Sequence, residues 1–123
     1  MLDISESTEM YLETILLLER SHGHAHGVEI ARKLGVSKAS VTKAMKKLQS
    51  DGLVEKEDYG SITLTEKGIE LSTAVYEKHK LISTFFMNTL GVSQSVASEN
   101  ACRMEHIVTD ELLDSIEKYL NKN

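Results

Sequence analysis

A chain of 123 residues with 41% hydrophobic and 27% charged side chains has the make-up of a globular protein, one compact unit or two small ones. No apolar run reaches membrane-spanning length and the first residues lack the basic-then-apolar order of a signal peptide, so no membrane partner is expected. A single cysteine excludes an internal disulfide and points to a reducing cytoplasm, while absent proline and few aromatics favour long helices over an all-β design.

In chain order, Met10, Ile15, Leu16 and Leu18 recur at helical spacing among Glu9, Glu13 and Glu19, which predicts a helix from about Glu6 to Arg20. The run Ser21 to Gly27 is expected to break it as a loop. Val28 to Leu34 reads as a short helix stopped by Gly35, and Ser37 as the cap of the next, which runs to about Gln49 and ends at Asp51-Gly52. Val54 to Lys56 and Ser61 to Leu64 read as strands around the turn Asp58-Tyr59-Gly60. A long helix follows from about Thr65 to Leu90, closed by Gly91. Another spans roughly Gln94 to Val108, and a last amphipathic helix carries Leu112, Leu113, Ile116 and Leu120.

The net charge of −5 argues against a polyanionic partner, but its distribution reverses that reading. Between residues 28 and 50 stand Arg32, Lys33, Lys38, Lys43, Lys46 and Lys47, opposed only by Glu29, whereas acid gathers near both ends. Two short helices, a three-residue turn and a β-hairpin are the order of a winged helix-turn-helix, whose second helix enters the major groove. In that helix Val41, Ala44, Met45 and Leu48 form an inward face. The outward face is Ser37, Lys38, Ala39, Ser40, Thr42, Lys43, Lys46 and Lys47, pairing phosphate-seeking lysines with short residues that let bases come close. A solvated lysine-rich helix is the bland alternative, and the hairpin after it weighs against that.

A second pattern lies in Ala101-Cys102-Arg103-Met104-Glu105-His106. If the run is helical, Cys102, Glu105 and His106 project from one face, and thiolate, carboxylate and imidazole together are a transition-metal donor set. Each has an ordinary alternative, Cys102 as a small buried hydrophobe above all. No general base, nucleophile or phosphate loop accompanies the set, so an enzyme is not expected.

Several fragments in order carry a resemblance across nearly the whole chain. They are Thr8-Glu9-Met10-Tyr11-Leu12, Ile30-Ala31-Arg32-Lys33-Leu34 with Val36-Ser37 and Val41-Thr42, Asp51-Gly52-Leu53-Val54 and Leu64-Thr65-Glu66-Lys67-Gly68. Lys78-His79-Lys80-Leu81 and the Cys102 run complete them. The chain resembles the diphtheria toxin repressor family, iron- and manganese-dependent bacterial transcriptional regulators. The resemblance implies a mainly α fold. A winged helix-turn-helix DNA-binding domain over 1–64 would be followed by a helical metal-binding and dimerisation domain over 65–123. A chain ending at Asn123 would leave no room for the SH3-like domain of larger relatives.

In the iron-responsive branch the primary metal site matches Met10, Cys102, Glu105 and His106. Its ancillary site matches His79 but has Ser83 and Ser98 where a glutamate and a histidine are usual. The manganese-responsive branch has carboxylates at Met10 and Cys102, a glutamate matching Glu13 and a histidine matching His79. The expected metal set is therefore Met10, Glu13, His79, Cys102, Glu105 and His106, a hybrid of the two. Soft Met and Cys donors suit Fe²⁺ first and Mn²⁺ second, with Zn²⁺, Co²⁺ or Ni²⁺ able to occupy the site in vitro. The expected partners are double-stranded DNA with a palindromic operator and a second copy of the chain. The expected role is repression of metal-uptake genes, with a winged-helix regulator not gated by metal as the rival. His22, His24 and His26 alternate in a glycine-flanked loop and are read as solvated rather than as a second site.

Overall fold

The computed structural model describes residues 5–57 and 60–122, which hold six helices and three short strands. They fall into two compact units, one ending at Thr73 and the other beginning at Ala74. Asp58 and Tyr59 of the predicted turn Asp58-Tyr59-Gly60 lie outside the described residues.

In the first unit α1 (Glu6–His22) starts at Ser5, whose hydroxyl accepts the Thr8 N–H at 3.2 Å, with Glu6 and Glu9 against the positive end of the helix dipole. Gly23, at φ 83°, ends it: its N–H reaches the Glu19 carbonyl at 2.7 Å in a conformation costly for any residue with a Cβ. Then come β1 (Ala25–His26), α2 (Gly27–Leu34), α3 (Lys38–Ser50), β2 (Val54–Lys56) and β3 (Ser61–Leu64). The sheet is antiparallel in the order β1-β3-β2, with Val54 opposite Leu64 and Ala25 opposite Ile62.

Residues 25–26, expected as loop, are therefore a strand. Two residues carry no period of their own, and pairing with β3 makes them one. Helices α1, α2 and α3 bury Leu12, Ile15, Ile30, Val41 and Leu48, and the sheet adds Ala25, Val54, Ile62 and Leu64. The sheet is tied to α1 by the Leu64 N–H, which donates to Glu19 Oε1 at 2.8 Å.

Thr65 caps α4 (Glu66–Leu90): its hydroxyl accepts from the Gly68 N–H at 3.1 Å and donates to the Gly52 carbonyl at 2.7 Å. Gly68 is buried so tightly that a Cβ there would stand 2.0 Å from the Leu53 carbonyl oxygen. The first turns of α4 belong to the first unit and the rest to the second.

The second unit adds α5 (Gln94–Met104) and α6 (Asp110–Lys122). Ile82, Ala101 and Ile116 form its core, with Leu81, Phe85, Phe86, Val108, Leu113 and Leu120 packed around them. Leu90, Ile107 and Leu112 are exposed. Helix α5 stops at Met104, short of the expected Val108. The Ile107 and Val108 N–H groups both turn back to the Met104 carbonyl, at 3.0 and 3.1 Å, and Thr109 then caps α6 by accepting the Leu112 N–H.

Gly68→Ala is expected to destabilise the first unit by about 3 kcal/mol, the upper end of ordinary overpacking costs, because the neighbour is backbone and cannot rotate away. Urea unfolding of the two proteins checks this.

Candidate metal centre and nucleic-acid face

Four of the six expected metal ligands belong to the second unit: His79 on α4, Cys102 on α5, and Glu105 and His106 in the turn after it. Glu105 is fully buried. Its two carboxylate oxygens face two imidazoles, Oε2 at 2.8 Å from His79 Nδ1 and Oε1 at 3.1 Å from His106 Nε2. The Cys102 sulfur lies within 4.8 Å of a Glu105 oxygen. Cys102 is exposed, so the reading of it as a buried hydrophobe is overturned. Because α5 ends at Met104, His106 is not the next step of a helical stripe, and the turn carries it to Glu105 with a side chain only 6% exposed.

His79 is held from both sides. Its Nε2 is 3.1 Å from the Ser98 hydroxyl, and its ring stacks on Tyr76 with centroids 6.1 Å apart. With Glu105 ionised, Nδ1 donates to the carboxylate and Nε2 accepts from Ser98. The sequence treats Ser98 only as a missing histidine, whereas the structure makes it the residue that orients His79. Ser83, the other position where a usual ligand is missing, is buried on α4.

Met10 and Glu13 lie on α1 in the first unit, one turn apart, Met10 40% exposed and Glu13 buried. The donor chemistry fits a first-row transition metal. Nitrogen and oxygen atoms about 3 Å apart are what neighbouring ligands of one ion require when each bond is about 2.1 Å.

All eight expected DNA-contact residues of α3 are exposed, and Val41, Met45 and Leu48 are buried behind them. Ser37 is the N-cap, accepting the Ser40 N–H at 3.1 Å, and Thr42 Oγ1 donates to the Lys38 carbonyl at 3.0 Å. Both hydroxyl oxygens keep accepting capacity, while Ala39 and Lys43 present themselves without such ties to α3. A groove of about 410 Å³ runs beside α3, lined by Lys38, Thr42 and Lys46 and also by His26, Gln49 and Lys56. These last three were missed by the sequence reading, although a lysine on a wing strand is a visible signal for Lys56. A second cleft, between the start of α1 and α3, is lined by Ser5, Ser7, Thr8, Lys43 and Lys47.

Comparison with known proteins agrees with this pairing of a DNA-reading unit and a metal-binding one. Residues 3–62 match the iron dependent repressor N-terminal DNA binding domain, and residues 65–123 match the iron dependent repressor metal binding and dimerisation domain. The chain belongs to the iron-dependent repressor family of transcriptional regulators. A helix-turn-helix-type transcriptional regulator of Methanocaldococcus jannaschii, itself uncharacterised, is 39% identical over 120 residues, 97% of this chain and 96% of that one. The transcriptional regulator MntR of Escherichia coli is 36% identical over 96% of this chain and 76% of its own. The diphtheria toxin repressor of Corynebacterium diphtheriae is 33% identical over 98% of this chain and 53% of its own.

Among solved structures, the IdeR of T. acidophilum superposes with a TM-score of 0.84 at 26% identity, over 98% of this chain and 56% of that one. The manganese regulator SloR gives 0.77 at 34%, over 94% and 54%. The chain thus spans about half the length of these two solved chains.

Ser98→Ala is expected to cost about 1 kcal/mol of stability through the lost bond to His79. Glu105→Ala is expected to cost more, roughly 2–3 kcal/mol, since two largely buried imidazoles then lose their partner. Denaturant titration ranks the two.

Proposed function

We propose that this chain is a metal-responsive repressor that binds operator DNA as a homodimer when Fe²⁺ is bound, with Mn²⁺ as the second candidate, and that it controls metal uptake. The observation that carries the reading is the buried Glu105 carboxylate set between His79 and His106 with the Cys102 sulfur nearby. Cys102, Glu105 and His106 would hold the ion, joined by the Met10 thioether and by Glu13 and His79. Thiolate and thioether donors make this set softer than the oxygen-rich shells Mn²⁺ prefers, which favours Fe²⁺.

A bound cation supplies positive charge and a fixed ligand arrangement. The remaining work falls to the chain. Until an ion arrives, His79, oriented by Ser98, holds the Glu105 carboxylate in place, and joining the ion means giving up one of these two bonds. Met10 and Glu13 belong to the helix that leads into the reading head, and the other donors belong to the domain that dimerises. Donors drawn from both make metal affinity depend on the arrangement of the two recognition helices, which is how an effector shifts a population toward DNA binding.

On the DNA side, Lys38, Lys46 and Lys47 would neutralise phosphates while Ser37, Ala39, Thr42 and Lys43 approach base edges. The exposed Leu90, Ile107, Leu112 and Tyr119 supply apolar surface for pairing with a second copy, and two-fold symmetry would make the operator palindromic.

Under anaerobic conditions at buffered free-ion concentrations, Fe²⁺ is expected to switch on specific DNA binding. Glu105→Gln is expected to weaken the apparent metal affinity by more than the roughly 10- to 100-fold typical of residues outside the coordination shell. Activation by Mn²⁺ at cellular levels with no response to Fe²⁺ would overturn the choice of metal. Operator binding by the Gln variant equal to that of the native chain would establish the rival, a winged-helix regulator not gated by metal. Separately, Lys46→Ala should weaken binding about equally on all sequences and lower the salt slope by about 1.

A further inference from the structure

The histidines of the loop between α1 and α2 are not used by the metal centre, and the fold gathers them. His22 ends α1, and its Nε2 lies 3.8 Å from Glu29 Oε2 on α2. The left-handed turn at Gly23 keeps His24 close behind, with its Nδ1 3.0 Å from the His22 carbonyl oxygen. His24 and His26 alternate along the chain, and their rings meet edge to face with centroids 4.6 Å apart. Glu29 is anchored as well, because its Oε1 accepts the His26 backbone N–H at 3.2 Å. Pairing of Ala25 with Ile62 and of His26 with Ser61 holds the loop backbone against β3.

The His24 contact decides its tautomer. A carbonyl oxygen only accepts, so Nδ1 carries the proton and Nε2 presents its lone pair outward. A ring N–H given to a carbonyl is the arrangement that fixes a metal-ligating histidine. Glu29 resembles it in kind: one oxygen is pinned to backbone while the other is turned to His22.

We propose that His22, His24 and Glu29, with His26 beside them, form a second metal site for a late first-row divalent ion of the Zn²⁺ and Ni²⁺ class. Imidazoles with one carboxylate are a donor set such ions accept, and neither thiolate nor thioether is needed. The donor atoms do not converge as they stand, and rotation of the exposed His22 imidazole toward His24 Nε2 closes the site while His24 keeps its bond and the backbone stays paired. The loop feeds β1 at the edge of the wing sheet and then α2 of the reading head. An ion bound here therefore stabilises the DNA-binding unit, whatever occupies Cys102 and its neighbours.

Zn²⁺ itself is the probe, added to the full chain without any affinity tag. In nitrogen-15 imidazole spectra, saturating Zn²⁺ is expected to move the His24 Nε2 signal to a metal-bound position while Nδ1 stays protonated, with His22 shifting in parallel. Calorimetry on the double variant His22→Ala with His24→Ala, made in a Cys102→Ser background, is expected to show one ion fewer per chain than that background alone. Unmoved His22 and His24 signals, or an unchanged ion count in a variant whose circular dichroism shows it folded, would overturn the proposal. The spectra need no variant, and neither outcome alters the Glu105→Gln test of the first site.

Discussion

A carboxylate without access to water organises the second unit. Removing a charge from water costs several kcal/mol unless partners replace the lost hydration, and Glu105 is completely removed from it. The His79 imidazole supplies a hydrogen bond in replacement, with the His106 ring 3.1 Å from the other oxygen, and the network continues outward. His79 on α4 reaches Ser98 on α5 and stacks on Tyr76, so this polar chain fixes α4 against α5 beside the apolar cluster of Ile82, Ala101 and Ile116. An apolar residue at position 105 would do the packing with less risk. That a charge stands there, beside an exposed thiol, is the physical argument that the position serves binding rather than stability.

The first unit solves a different problem, which is to present positive charge on an acidic chain. It does so by gathering Lys38, Lys43, Lys46 and Lys47 on the outward side of α3 and packing Val41, Met45 and Leu48 behind them. Ser37 would serve twice in the proposed reading, since the hydroxyl that starts the helix also stands on the exposed face proposed to meet DNA. The wing is mixed in sign: Lys56 lines the groove beside α3, while Glu55 and Glu57 flank it. Positive charge in this unit is thus concentrated at α3.

Most of this was legible from residue order because the signals are local. Ser5, Ser37 and Gly35 cap helices by their own chemistry, and the strands 54–56 and 61–64 follow from alternation bounded by turn residues. What escaped depends on residues distant in sequence. Strand β1 exists because β3 pairs with it, and α5 ends without a glycine or proline to announce the stop. Ser98 was visible only as a lost ligand, since nothing in a serine's neighbours says that a histidine nineteen residues earlier will seek its hydroxyl. The metal stripe was read from a helical spacing that the structure keeps for Cys102 and Glu105 and replaces by a turn for His106.

The two proposed sets of metal-binding side chains differ in how far the fold has fixed them, and that difference bears on selectivity. Affinity alone ranks divalent ions in one order at almost any site, so a protein discriminates only where geometry and donor type are imposed. Around Glu105, burial and a continuous chain of hydrogen bonds impose them, and an ion that does not suit the arrangement must break bonds that water cannot replace. At the His22 loop the rings are mostly exposed and only the backbone is held, so the affinity order goes uncorrected there. A site of the first kind can report one metal; a site of the second kind responds to whichever late metal is in excess.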